Sequence, residues 1–303
     1  MNMTFHRQQL AGIALALALS APAAGTEGRG FDAHLECRAC AGWNAEQAPF
    51  RLAPNAWYVG PRGLSSVLIA TSDGLILIDG GLPQSAAQIA THIRQLGFEP
   101  QQIRYLLNSH PHFDHAGGLA ALAEWSGATV VSSPVGLATL RAGVAPADDP
   151  QAAFGTDAAF PALPADHPTR SIADGEVLRL GDTELIAEYT PGHAPGGISW
   201  RWQACDANRQ CTAIVYADSL SAVSAPDYRF SDHPAAIEAV NASVKRVAGL
   251  DCQLLVSTHP EMSQLFERHA RGELIDASAC RRYAEQAAQA LQRRLHNERS
   301  AGT

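Results

Sequence analysis

The sequence predicts an α/β fold, a four-layer αββα sandwich, and three observations lead to it. Each half of the chain runs through short β-rich stretches, then histidine- and aspartate-bearing turns, then a helix. The helical stretches are apolar along one face, so each covers a sheet on one side only. Hydrophobic residues make up 46% of the chain, enough to fill a core between two sheets as well as beneath the helices. Two separate domains divided near Ala145 are the alternative arrangement.

Residues 1–23 read as a secretory signal peptide. Arg7 lies in the leading segment, an apolar Ala/Leu-rich run follows from Leu10 to Ser20, and Ala21-Pro22-Ala23 offers small residues for cleavage. The run is too short to span a bilayer. Residues 24–303 then form a single domain of ordinary size for one large α/β unit. The formal charge of -8 comes with no basic patch or tail, which argues against nucleic acid as a partner.

In chain order, residues 25–48 are a polar, irregular arm. Strands are expected at 57–60, 66–71 and 75–78, the last ending in Asp79-Gly80-Gly81. A helix at 83–96 carries Ile89, Ile93 and Leu96 on one face. A buried strand at 103–107 precedes a helix at 118–125, a strand at 129–132 and a short helix at 137–141. Residues 142–171, rich in Ala, Pro and Asp, show no periodicity and read as a long loop beside the site. Strands at 176–180, 183–189, 198–203 and 212–217 follow. A helix at 234–247 opens on Pro234, a strand occupies 253–257, and a final helix spans 278–296.

Six cysteines in an exported chain read as disulfides. Cys205 and Cys211 flank a polar turn between two β-rich runs, where a bridge would close a hairpin. Cys252 and Cys280 would pin the last helix to the sheet. Cys37 and Cys40 form a C-x-x-C without the strand–helix context of a redox motif, so a local structural bridge fits better. Spacing alone does not fix the pairing.

The run His110-Pro111-His112-Phe113-Asp114-His115 follows the apolar strand directly. His110 and His112 lie on one side of an extended segment, Asp114 continues the alternation and His115 breaks it. Imidazole and carboxylate together suit zinc. Thr190-Pro191-Gly192-His193 and Ser257-Thr258-His259-Pro260 end two further strands. The expected division is one zinc on His110, His112 and His193, and a second on Asp114, His115 and His259. Three ligands per ion leave an open position on each, as in catalytic rather than structural sites.

The H-x-H-x-D-H run, the P-G-H turn and the late strand-end histidine resemble the metallo-β-lactamase superfamily over residues 48–280. That resemblance implies the αββα fold with a di-zinc site at the edge between the sheets. Tyr216-Ala217-Asp218-Ser219-Leu220-Ser221, Trp57-Tyr58-Val59-Gly60 and Thr190 to Gly197 resemble the third subclass of class B β-lactamases, as does the use of His115 in place of a cysteine. The resemblance implies that Ser219 and Ser221 meet the substrate carboxylate. It gives Asp79 a supporting role behind the histidine loop. Asp218 becomes a residue orienting a metal-bound histidine; in the glyoxalase II type it would instead bridge both metals.

The expected function is hydrolysis of penicillins, cephalosporins and carbapenems by hydroxide held between two zinc ions, with Asp114 also orienting that hydroxide, conferring antibiotic resistance. A lactonase or glyoxalase II-like thioesterase is the alternative. The expected partner is a small β-lactam, without nucleic acid or membrane, acting on a periplasmic or secreted monomer.

Overall fold

Alternation along the central strands determines how the layers assemble. In the computed structural model, which describes residues 31–301, β4 (Gly74–Ile78) sends Leu75 and Leu77 to one face and Ile76 and Ile78 to the other. Both faces are buried, so the strand needs cover on both sides. The expected signal peptide lies outside the described residues. Among those residues, no helix is long and apolar enough to cross a membrane.

Among the described residues the first element is the four-residue helix α1 (Cys40–Trp43), followed by β1 (Phe50–Ala53), β2 (Ala56–Tyr58), β3 (Val67–Thr71) and β4. Helix α2 (Ser85–Gln95) leads to β5 (Ile103–Leu107), followed by α3 (Phe113–Ala116), α4 (Leu119–Ser126), β6 (Thr129–Ser132), α5 (Pro134–Ala142) and β7 (Thr169–Ser171). These strands form one seven-stranded sheet in sequential order, antiparallel from β1 to β4 and parallel from β4 to β7. The parallel steps require crossovers, which α2 to α5 provide.

The second sheet takes β8 (Val177–Leu180), β9 (Thr183–Tyr189), β10 (Ile198–Cys205) and β11 (Cys211–Ala217) as an antiparallel meander. Helix α6 (Pro234–Ala248) crosses over to β12 (Leu254–Ser257), which lies parallel to β11. Helices α7 (Leu265–Ala270) and α8 (Ala279–Ala301) follow.

Three apolar layers separate the four structural ones. Between the sheets, Ile69, Ile76 and Leu107 meet Trp200, Ile214 and Val256. Outside the first sheet, Leu77, Leu106 and Val130 pack under Ile89 and Ile93 of α2 and Leu122 of α4. Outside the second, Val215 and Leu255 pack under Val247 of α6 and Tyr283 and Ala284 of α8. This is the expected αββα order. All six cysteines are bridged, and of the pairings left open by the sequence the structure has Cys37–Cys40, Cys205–Cys211 and Cys252–Cys280. Two edge strands, β1 and β7, and the helical turns α1, α3 and α7 go beyond the sequence expectation. Residues 142–171 are also less irregular than expected, since they hold a 3₁₀ stretch at Ala152–Ala158 as well as β7.

Candidate metal centre

The expected site residues converge where the ends of β5, β9, β11 and β12 meet between the sheets. The histidine run leaves β5 as extended chain only as far as His112, whose φ and ψ are -93° and 156°. From Phe113 the backbone turns helical in α3, so the strand alternation does not reach Asp114. Asp114 and His115 are therefore placed by a helical turn rather than by continued extension. Gly118 permits this path, because a Cβ there would lie 2.3 Å from the Gly80 carbonyl oxygen.

Asp79 fixes the loop from behind. Its Oδ1 accepts from the Ser109 amide at 2.7 Å and from Asn108 Nδ2 at 3.2 Å. Its Oδ2 accepts from Ser109 Oγ at 2.5 Å and from Tyr216 Oη at 2.8 Å. The residue is fully buried with φ of 60°, a conformation usually left to glycine. Four hydrogen bonds hold it there and tie both sheets to one carboxylate.

His110, His112 and His193 each present one nitrogen within 4.8 Å of the others. Each has its second nitrogen engaged on the far side. His110 Nδ1 lies 2.7 Å from Asp218 Oδ1, His112 Nε2 lies 2.9 Å from Asp149 Oδ2, and His193 Nδ1 lies 2.9 Å from the Ser221 carbonyl oxygen. The inward atoms are then His110 Nε2, His112 Nδ1 and His193 Nε2, the last two 3.2 Å apart. His110 Nε2 is buried without a hydrogen-bond partner. An orphaned buried nitrogen costs about 1–3 kcal/mol, and three converging imidazole nitrogens suit a cation better than one another. Asp218 stands behind His110, on its outer nitrogen.

The second group is as tight. Asp114 Oδ2 lies 3.3 Å from both His115 Nε2 and His259 Nε2, and those two nitrogens are 3.3 Å apart. Trp43 of α1 lies against His259, with ring centroids 5.2 Å apart. His110, Asp114 and His115 also offer ligand atoms within 4.8 Å of one another, so the two groups adjoin.

Electrostatics keep His110, His193 and Asp114 in the forms that bind a metal. Burial, reinforced by His115, His193 and His112, holds the His110 imidazole well below its ordinary value. Burial and then His112 bring His193 down to about 3. Both are neutral donors near pH 7. Burial alone would raise the Asp114 carboxyl, but His115 and His259 outweigh it and hold it well below the usual range.

A cleft of about 640 Å³ opens onto both groups, with Asp114, His193 and His259 in its wall. Ser221 lines it, its Oγ 3.1 Å from His193 Nδ1. Ser219 does not: it is buried, and its Oγ lies 2.8 Å from Thr258 Oγ1.

Sequence and structure comparisons agree on the ancestry. The metallo-beta-lactamase superfamily profile matches residues 59–207. The chain is similar to MEM-A1, a subclass B3 metallo-beta-lactamase from a soil metagenome library, at 47% identity with a TM-score of 0.80, over 86% of this chain and 99% of that one. The Rm3 metallo-beta-lactamase is 44% identical with a TM-score of 0.82, over 87% and 99%. The chain belongs to the metallo-β-lactamase superfamily.

Within the superfamily there is also a more distant likeness, to the N-acyl homoserine lactonase of Bacillus thuringiensis, 26% identical over 152 residues. That match covers 43% of this chain and 54% of the lactonase, so the chain spans about half the length of that relative. Superfamily membership and the histidine-rich groups together imply a bound metal ion. Sequence reasoning missed Asp149 and Gln151 as members of this metallo-β-lactamase site. Asp149 is buried, and its Oδ1 also accepts from the Gln151 amide at 2.7 Å, while Gln151 Nε2 lies 3.5 Å from His193 Nε2. Both belong to the 142–171 segment, whose only signal was its expected place beside the site.

Proposed function

We propose that the chain is a zinc-dependent β-lactam hydrolase that uses two ions. One is held by His110, His112 and His193, the other by Asp114, His115 and His259. The observation that carries this reading is the likeness to MEM-A1 along 99% of that chain at 47% identity, with His110, His112 and His193 convergent and Asp114, His115 and His259 in mutual contact beside them. Ligand chemistry supports zinc, since imidazole with one carboxylate and no thiolate is its usual catalytic set.

Bound zinc supplies Lewis acidity and lowers the pKa of water in its coordination sphere. The residues of the chain do the rest. Asp218, Asp149 and the Ser221 carbonyl orient the three histidines of the first group through their outer nitrogens. Asp114, kept ionised beside His115 and His259, would also orient the attacking water by accepting a hydrogen bond from it. Ser221 on the cleft wall donates to the substrate carboxylate. Ser219, turned toward Thr258, braces that wall from behind. Among the described residues every cysteine is bridged, and Ser221, the serine lining the cleft, is assigned to the substrate carboxylate, so the reading calls for no acyl intermediate.

The core shared by both sheets supports residues 24–303 acting as a single domain. Three bridges that use every cysteine support export to an oxidising compartment, periplasmic or extracellular. We take the working form as a monomer. Lactone hydrolysis is a second reading, favoured by the lactonase match. A panel of nitrocefin, imipenem, an N-acyl homoserine lactone and S-lactoylglutathione separates them. Lactam turnover exceeding the others supports the proposal; turnover of the lactone or thioester alone overturns it.

A further inference from the structure

The N-terminal arm brings a cation to the cleft. Among the described residues lining it, Arg38 is the one arginine or lysine. Its side chain is exposed and has no hydrogen bond or ion pair among the described residues.

The backbone beneath it is locked. The Cys37–Cys40 bridge closes the turn that carries it, with the Cys40 amide donating to the Cys37 carbonyl at 3.2 Å. Cys40 is buried with Leu64 and Leu82. Leu35 exchanges hydrogen bonds of 3.1 and 2.9 Å with Gln84. A side chain carried on a fixed turn leaves less backbone freedom to be lost when it captures an anion.

Two further observations concern the anion. The cleft wall also bears Glu36, Asp157 and Glu261, which repel an incoming carboxylate. The hydroxyl pair expected to anchor that carboxylate is reduced to Ser221, because Ser219 Oγ is engaged with Thr258. A guanidinium matches a carboxylate with two parallel N–H donors.

We propose that Arg38, presented by the disulfide-closed turn, captures a substrate carboxylate and makes the cleft selective for anionic substrates. This rests on the β-lactam hydrolase reading above. The carboxylate comes from the fused ring system or from an acidic side chain.

Steady-state kinetics on the zinc-loaded full chain test it, with benzylpenicillin, its methyl ester and carboxybenzylpenicillin as substrates. For Arg38→Ala, KM for benzylpenicillin should rise about fivefold, the scale of an exposed ion pair, and the ratio of ester to acid KM should fall by the same factor. Arg38→Lys should keep most of the capture. Raising salt to about 0.5 M should raise KM for the acid in the wild type and have little further effect in Arg38→Ala. The Cys37→Ser/Cys40→Ser variant should move in the direction of Arg38→Ala. A response confined to carboxybenzylpenicillin supports capture of the side-chain carboxylate; a response of benzylpenicillin relative to its ester supports the ring carboxylate. Equal shifts for acid and ester, or no shift in any acid, overturn the inference while leaving the hydrolase reading in place. Absence of hydrolysis of every β-lactam overturns both.

Discussion

Asp149→Asn is expected to weaken zinc binding without unfolding the protein. The Asp149 carboxylate is buried, with Oδ2 2.9 Å from His112 Nε2 and Oδ1 2.7 Å from the Gln151 amide. It thereby sets which nitrogen of His112 faces His193 and also orders the segment that brings Gln151 to the site. The amide is nearly isosteric, so it can still accept from Gln151, but it no longer supplies a negative charge to the imidazole. Hydrogen bonds to charged partners contribute about 1.5–3 kcal/mol, or roughly ten- to a hundredfold in metal affinity, the range found for outer partners of metal-bound histidines. Asp149→Ala should cost more, because it also leaves the Gln151 amide unpartnered. The assay is zinc competition against a chelating dye, with kcat/KM for imipenem measured beside it. Zinc affinity within about twofold of wild type for Asp149→Asn would refute the reasoning.

Three other perturbations have definite expected outcomes. Gly197→Ala would place a Cβ 2.2 Å from Asp218 Oδ2 and 2.7 Å from the Thr190 carbonyl oxygen; displacing Asp218 from His110 should lower zinc affinity about tenfold, read by the same competition assay. In the metal-stripped protein, the folded-state value of His193, about 3, lies below its unfolded value, so the unfolded chain takes up the proton first. Its contribution is therefore full above about pH 6.5 and declines as the pH falls toward the folded value; calorimetry should show Tm dropping between about pH 7 and 5, and a flat Tm contradicts this. Removing the Cys252–Cys280 bridge, whose partners are 28 residues apart, should cost about 3–4 kcal/mol in urea unfolding while leaving zinc stoichiometry intact.

Much of the fold is legible because its strands are buried on one or both faces. Residues 103–107, 129–132 and 183–189 carry apolar or alternating runs and fold as strands over those same ranges. The short edge strand β7 buries none of its residues, and β1 buries two consecutive ones, Leu52 and Ala53, so neither shows such a pattern. Helix α3, four residues long, is too short to show a helical period. That is why strand alternation was extended through Asp114, although the chain turns there. The histidines were legible because their types and strand-end positions repeat. Asp149 was not, because one carboxylate in an aperiodic Asp/Pro-rich segment shows nothing of a partner 37 residues away. Ser219 illustrates a different limit: its identity marks the turn after β11, but only packing shows its hydroxyl committed to Thr258.

The most direct test is zinc add-back to chelator-stripped, dialysed protein, with bound metal and the imipenem hydrolysis rate followed together. The account predicts negligible hydrolysis at the start and a rise that levels off as bound zinc approaches two per chain. Full-rate hydrolysis by the stripped protein, or zinc uptake to two per chain with no hydrolysis, would contradict it.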